Sequence, residues 1–214
     1  MVGFGIIIPL LPFYGEHYGA SPDKVTALMA TYSLFQFLFA PIWGYISDRV
    51  GRKPILIISL LGTIIAYLLL AIAPNLISLF VARAIAGIMA GSISAAFAYM
   101  ADITTREDRT KGMGIIGSAF GLGFIAGPAI GGFLAGGDIT NTNFQAPAYY
   151  AAGFAALASL LSVFFLRESL PKIKRQKWQL RFKPIQSLKA INLKLLPNVK
   201  YILYLTFFAI AVSA

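Results

Sequence analysis

Five apolar stretches limit what this chain can become: Val25 to Ser47, Ile55 to Ala73, Leu76 to Asp102, Met113 to Ala135 and Ala148 to Leu166. Each is close to the roughly 20 residues a helix needs to cross the hydrocarbon of a bilayer. At 58% hydrophobic and 12% charged residues, with a mean hydropathy of +0.76, the chain is far more apolar than an ordinary soluble domain. The expected class is an all-α membrane protein, with the bilayer as its first partner. A shorter run, Met1 to Tyr14, falls short of a full crossing and lacks the basic residues of a secretory leader. Another run begins near Val199 and reaches Ala214. The expectation is a chain that enters partway through a first helix and leaves partway through a seventh.

The net charge of +10 does not mark a nucleic-acid binder, because no fold for that purpose is recognisable and the basic residues sit in particular loops. Arg49, Arg52 and Lys53 follow the first full stretch, and Arg106, Arg109 and Lys111 follow the third. Ten more Lys and Arg lie between Arg167 and Lys200. The opposite loops hold Lys24 against Glu16, Asp23 and Asp138. Basic short loops stay in the cytoplasm, so loops 2-3, 4-5 and 6-7 are expected inside, in a multi-pass protein of the inner (plasma) membrane. Residues 167–198 alternate bases with apolar side chains. They fit either an amphipathic helix on an anionic leaflet or a solvated linker. Cysteine is absent, which removes thiolate metal sites, and His17 has no partner for a metal site. No cofactor is expected.

The loop from Gly44 to Lys53 carries the sharpest signal. Gly44 permits close helix approach and Gly51 permits a positive φ. Asp48 closes a helix whose macrodipole is already negative there, so it needs a cation or another helix's N-terminus as partner. Gly44, Asp48, Arg49, Gly51, Arg52 and Lys53 fill every position of a pattern that resembles the loop 2-3 signature of the major facilitator superfamily of transporters. The resemblance implies a six-helix N-terminal half built of two three-helix repeats (residues 1–166), a basic inter-half loop (167–198) and the start of helix 7 (199–214), with the C-terminal half missing. It also implies that this loop is a conformational gate. Asp102, Arg106, Glu107, Asp108 and Arg109 can pair with Asp48, Arg49 and Arg52 across the cytoplasmic mouth, or form a solvated loop of weak pairs, each worth about 0 to 1 kcal/mol.

Two further constellations refine the reading. Gly114, Gly123, Gly127, Pro128, Gly131 and Gly132 are spaced like the helix 5 motif of the antiporter branches. Such glycines open a backbone groove, and the proline permits a bend. Arg83 is the one charge deep in a spanning stretch and costs about 2.5 to 3.5 kcal/mol to insert. Its surroundings, with Ala98 to Thr104 downstream, resemble helix 4 of tetracycline-type exporters among the 12-helix drug:proton antiporters, where the corresponding Arg serves proton coupling. The alternative for Arg83 is a side chain that snorkels to the interface. Ala86 and Met89 depart from that branch, and Ile55 to Ala73 lacks the acid that tetracycline exporters carry, which argues against tetracycline itself. Gln36, Phe37, Phe97, Phe120 and Phe124, with Phe13 and Tyr32, are the candidates to line a substrate pocket.

The expected function is proton-coupled export of small amphipathic compounds by alternating access, without enzymatic activity. A sugar or metabolite symporter, or a non-transporting membrane protein on the same fold, are the alternatives.

Overall fold

The computed structural model describes residues 1–136, 143–171, 173 and 175. The rest of the expected inter-half loop and the seventh helix (199–214) lie outside the described residues. Three short pieces, α1 (Val2–Ile7), a 3-10 turn (Ile8–Leu10) and α2 (Leu11–His17), follow one another. Pro9 and Pro12 lack the amide protons that would carry a regular helix through this region. Next come α3 (Pro22–Val50), α4 (Arg52–Ala71), α5 (Leu76–Ala90), α6 (Ile93–Ile103), α7 (Arg109–Ala135) and α8 (Gln145–Phe165). With α5 and α6 taken as one span, the described residues hold five helices long and apolar enough to cross a membrane. They fall on the five stretches expected from sequence.

Local chemistry sets the boundaries. Asn75 and Ser78 cap α5 reciprocally: Ser78 N donates to Asn75 Oδ1 at 2.9 Å and Asn75 N to Ser78 Oγ at 3.2 Å. The Asn143 side chain accepts from the amides of Gln145 and Ala146 at the start of α8. Between α3 and α4 only Gly51 is non-helical, at φ 118° and ψ 159°, a conformation costly for any residue with a Cβ. The third span, α5 with α6, breaks at Gly91 and Ser92, which the hydropathy pattern did not announce. There Ser92 N reaches back only three residues, to Met89 O at 3.1 Å. The Trp43 indole donates to Ile88 O at 2.6 Å, and Ser94 Oγ donates to Ala40 O at 3.1 Å. The break is therefore held by α3.

The larger core lies at the end away from Gly51. It gathers Ile6, Leu11, Tyr14, Leu28, Leu79 and Ala148. There Tyr14 and Tyr18 donate to the carbonyls of Leu70 and Ala73, which ties α2 to the end of α4. A smaller cluster of Trp43, Ile55 and Ala95 lies nearer the basic end. Much of the apolar surface stays uncovered, as at Phe37, Ile125 and Phe133, which are 77%, 76% and 87% exposed. Water would not tolerate such faces on this scale; hydrocarbon or further helices would.

The helix 5 glycines divide into two groups. Gly123, Gly127 and Gly131 form one face of α7 and meet α1 backbone to backbone. A Cβ on Gly127 would lie 2.5 Å from Gly5, and one on Gly131 would lie 2.6 Å from Ile6 O. Gly114 and Gly132 meet nothing within 4 Å, so packing among the described residues does not require them. Gly44 is a similar correction: a Cβ there would touch Ser94 Oγ at 3.7 Å, an ordinary contact. The close approach to α3 is made instead by Gly87 of α5 and Gly91 just after it, against Tyr32 and Ala40. Met89, which departs from the resembled pattern, lies directly over Gly62 of α4.

In the full-length protein, Gly127→Val should push α1 from α7 and destabilise the fold by about 1 to 3 kcal/mol, the usual cost of overpacking. Gly132→Ala should be near neutral. Melting midpoints of the two variants in one detergent check the contrast.

Candidate functional site

At the basic end three helix termini converge on one guanidinium. Arg52 opens α4, where the macrodipole disfavours a cation. Asp48 and Asp102 lie in the last turns of α3 and α6, where the dipole disfavours an anion. Each charge is misplaced on its own helix and well placed against the others. Arg52 Nη1 lies 2.6 Å from Asp48 Oδ1 and Nε lies 3.3 Å from Asp102 Oδ2. Nη1 also donates to Ser47 Oγ at 2.6 Å, and Ser47 donates onward to Gly44 O at 2.8 Å. Arg52 is 8% exposed and Ser47 fully buried, so this network is shielded from water more than a surface pair worth about 0 to 1 kcal/mol.

The other charged residues of this loop and its expected partners take other places. Arg49 lies back on its own helix, with Nη1 donating to Tyr45 O at 2.8 Å and the guanidinium 3.3 Å from the Tyr45 ring centroid. Lys53 donates to Val163 O at 2.8 Å and Arg109 to Ala101 O at 3.3 Å. Each thereby meets a carbonyl near a helix C-terminus, the favoured place for a cation. Asp108 pairs with Lys111 at 3.2 Å, whereas Arg106 and Glu107 remain exposed. Of the cross-mouth pairs expected from sequence, Arg52 with Asp102 is formed.

Sequence reasoning passed over two members of this site. Ser47 lies inside the motif. Glu168, three residues past α8, accepts from Arg52 N at 2.9 Å and pairs with Arg175 at 3.7 Å. Its signal was a lone acid opening a long basic run.

The second element is Arg83, on α5. Seven residues from the start of that helix, it lies about 10 Å in. It is 3% exposed, so it turns inward instead of snorkelling. Its guanidinium carbon stands 4.5 Å from the Tyr32 ring centroid and 6.0 Å from that of Phe4. A desolvated cation–π contact is worth about 2 kcal/mol and offsets part of the insertion cost. Among the described residues no hydrogen bond reaches Nε and no carboxylate pairs with Arg83.

Phe4, which no sequence signal marked, joins this cluster to one pocket candidate. Its ring stands 4.8 Å from Tyr32 and 5.8 Å, edge-on, from Phe124. Gln36 follows Tyr32 by one turn on α3, and Phe120 precedes Phe124 by one turn on α7, both partly buried. Phe37 lies about 140° around α3 from Tyr32 and is 77% exposed, Phe97 is 38% exposed and Phe13 50%. Among the described residues no cluster of His, Cys, Asp or Glu could hold a metal.

The sequence matches the Major Facilitator Superfamily over residues 1–214. This chain belongs to that superfamily. It is 42% identical to the class E tetracycline resistance protein of Escherichia coli over 173 residues, covering 78% of this chain and 41% of that protein. It is 32% identical to multidrug resistance protein 2 of Bacillus subtilis (strain 168) over 211 residues, 98% of this chain and 51% of that one. Among solved structures it resembles the human organic anion transporter MFSD10 (TETRAN), with a TM-score of 0.71 and 29% identity over 81% of this chain and 46% of the other. The chain thus spans about half the length of the relatives it matches, and it aligns with the N-terminal portion of a major facilitator protein.

Because Arg52 is buried, removing one carboxylate leaves its donors short of a partner, at about 1 to 3 kcal/mol. Asp102→Asn and Arg52→Gln should therefore be non-additive by about 1 kcal/mol in a double-mutant cycle on the full-length protein, read from melting midpoints.

Proposed function

We propose that this chain is the N-terminal half of a proton-coupled exporter of small amphipathic compounds, working by alternating access in the inner (plasma) membrane. The basic loops at the Arg52 end support a cytoplasmic position for it. The tetracycline and multidrug resistance relatives support export. A C-terminal half covering the bare faces of α3 and α7 would complete the cavity, since such sites lie between repeats near the bilayer midplane.

The observation that carries the coupling is Arg83, an inward-turned cation with no carboxylate partner among the described residues. A carboxylate brought by the other half would pair with it and be held ionised. A cationic or neutral compound that favours the ionised state would compete with the proton for that site, and competition of this kind is what exchange requires. Aromatic faces at Tyr32, Phe4 and Phe124, with Gln36 and Phe120 nearby, would receive the compound's rings. The Arg52 network would be the inner gate, with Asp48, Asp102 and Gly51 as its members.

A second reading, transport of organic anions, is favoured by the same unpaired Arg83 and by the likeness to MFSD10. The direction of proton movement separates the two. An anion that takes Arg83 frees the carboxylate to bind a proton, so anion and proton would travel together. A compound that displaces the proton gives exchange.

Proteoliposomes of the full-length protein should therefore release protons in exchange for ethidium, followed with an internal pH dye. Arg83→Ala should abolish that exchange while leaving the melting midpoint within a few degrees. Arg83→Lys should restore it in part, because an ammonium lacks the guanidinium fork. Exchange retained in Arg83→Ala would place coupling elsewhere. For sidedness, Glu107→Cys should react with a membrane-impermeant maleimide only in opened cells, and Ser21→Cys in intact ones. The reverse pattern would invert the topology.

A further inference from the structure

The α4 helix begins without a cap of its own. Gly51, its N-cap residue, has no side chain, and no acid stands in the first turn, where Arg52 and Lys53 lie instead. The missing acceptor arrives from 116 residues away. One oxygen of Glu168, Oε1, accepts from the Arg52 amide at 2.9 Å and from the Leu170 amide at 3.1 Å, so a single carboxylate oxygen joins two distant pieces of backbone. The other oxygen, Oε2, lies against Gly51, where any Cβ would collide with it, and 3.7 Å from Arg175 Nη2. Arg175 in turn donates to Leu170 O at 3.4 Å. The next residue, Ser169, donates to Asp102 Oδ2 at 3.1 Å, the oxygen that also receives Arg52 Nε. Two adjacent side chains beyond α8 therefore hold both the turn between α3 and α4 and the end of α6.

We propose that Glu168 is a latch that fastens the segment leading to the inter-half loop onto the gate, so that release of this segment and opening of the gate are one event. The proposal rests on the gate reading above and adds its regulation. An anion at a helix N-terminus, hydrogen-bonded to a free amide, is favoured by both the dipole and the charge on the acceptor. The glycine at position 51 gains a second reason: the turn needs its positive φ, and the Glu168 carboxylate occupies the space a side chain would take. If α3 and α4 shift relative to α8, the Arg52 and Leu170 amides lose their shared acceptor together. Glu168 is thus a positioning residue, acting on substrate only through Arg52.

The test uses the full-length protein in nanodiscs, with hydrogen exchange read on peptides covering residues 47–56 and 166–171, and ethidium-driven proton exchange measured alongside. In the native protein ethidium should speed exchange in both peptides by the same factor. In Glu168→Ala both should exchange about tenfold faster without ethidium, the scale of a lost cap; ethidium should add nothing, and kcat should fall at unchanged KM. Glu168→Gln keeps the acceptor oxygen and should recover most of the protection and turnover, which guards against an alanine variant that folds poorly. Unchanged exchange at residues 47–56 in both variants would overturn the latch. Faster exchange with native kcat would reduce Glu168 to a static cap and overturn it equally. If the native protein shows no ethidium-driven proton exchange, the exporter reading falls. The latch is then decided by whether the two peptides gain exchange together in Glu168→Ala and recover together in Glu168→Gln.

Discussion

Everything at the basic end depends on Arg52 having a counter-charge. A single-residue turn forces the negative end of one helix macrodipole and the positive end of the next side by side, and Asp48 and Arg52 each sit at the wrong end of their own helix. Alone, either charge would fray its terminus. Facing each other at 2.6 Å, they convert two local penalties into one shared stabilisation. Asp102, also misplaced on its own helix, adds to the same guanidinium. A network built from misplaced charges acts as a unit, because separating the helices would restore every penalty at once.

The opposite end is held by different means. Two tyrosine hydroxyls bond the last carbonyls of α4, and the Tyr14 ring stacks on Phe144 at 4.7 Å and 6°. These contacts carry no formal charge, in contrast to the Arg52 network at the basic end. Between the two ends, α1 and α7 meet through glycine backbone, and the span of α5 and α6 bends where Trp43 donates to the Ile88 carbonyl. Arg83 lies between the anchored end and the bend, on the turned-in face of α5.

Some of this site was legible and some was not, for identifiable reasons. The need of Asp48 for a cation or a helix N-terminus follows from helix electrostatics alone, but the partners expected for it were the bases of the 106–109 turn, not Arg52. Which of several bases would answer could not be read, because Arg49, one residue from Asp48, folds back onto Tyr45 while Arg52, four residues on, reaches it. Glu168 was passed over because its partner is a backbone amide, and a free amide leaves no mark in the side-chain sequence. Phe4 was missed because one phenylalanine among 17 carries no positional signal until α1 is placed beside α3. The motif glycines were overread: equal spacing suggested equal packing, yet among the described residues a Cβ on Gly114 or Gly132 would meet nothing within 4 Å, while one on Gly127 would collide with α1.

What the sequence determined by itself is the set of spans and their family. Hydrocarbon imposes a length and a polarity on every crossing segment, and the Gly44 to Lys53 pattern is local enough to be read without coordinates. What only the tertiary structure decided is partnership. The lengths of the spans say nothing of which faces meet, and membrane helices lack the hydrophobic drive that would make burial predictable from polarity. Whether Arg83 turned inward or reached for the interface, whether Gly44 or Gly87 carried the close contact, and whether an acid beyond the last span would cap a helix near the first all rested on helix packing. A charge or a glycine takes its role from the atoms beside it, and in this chain those atoms came from distant turns.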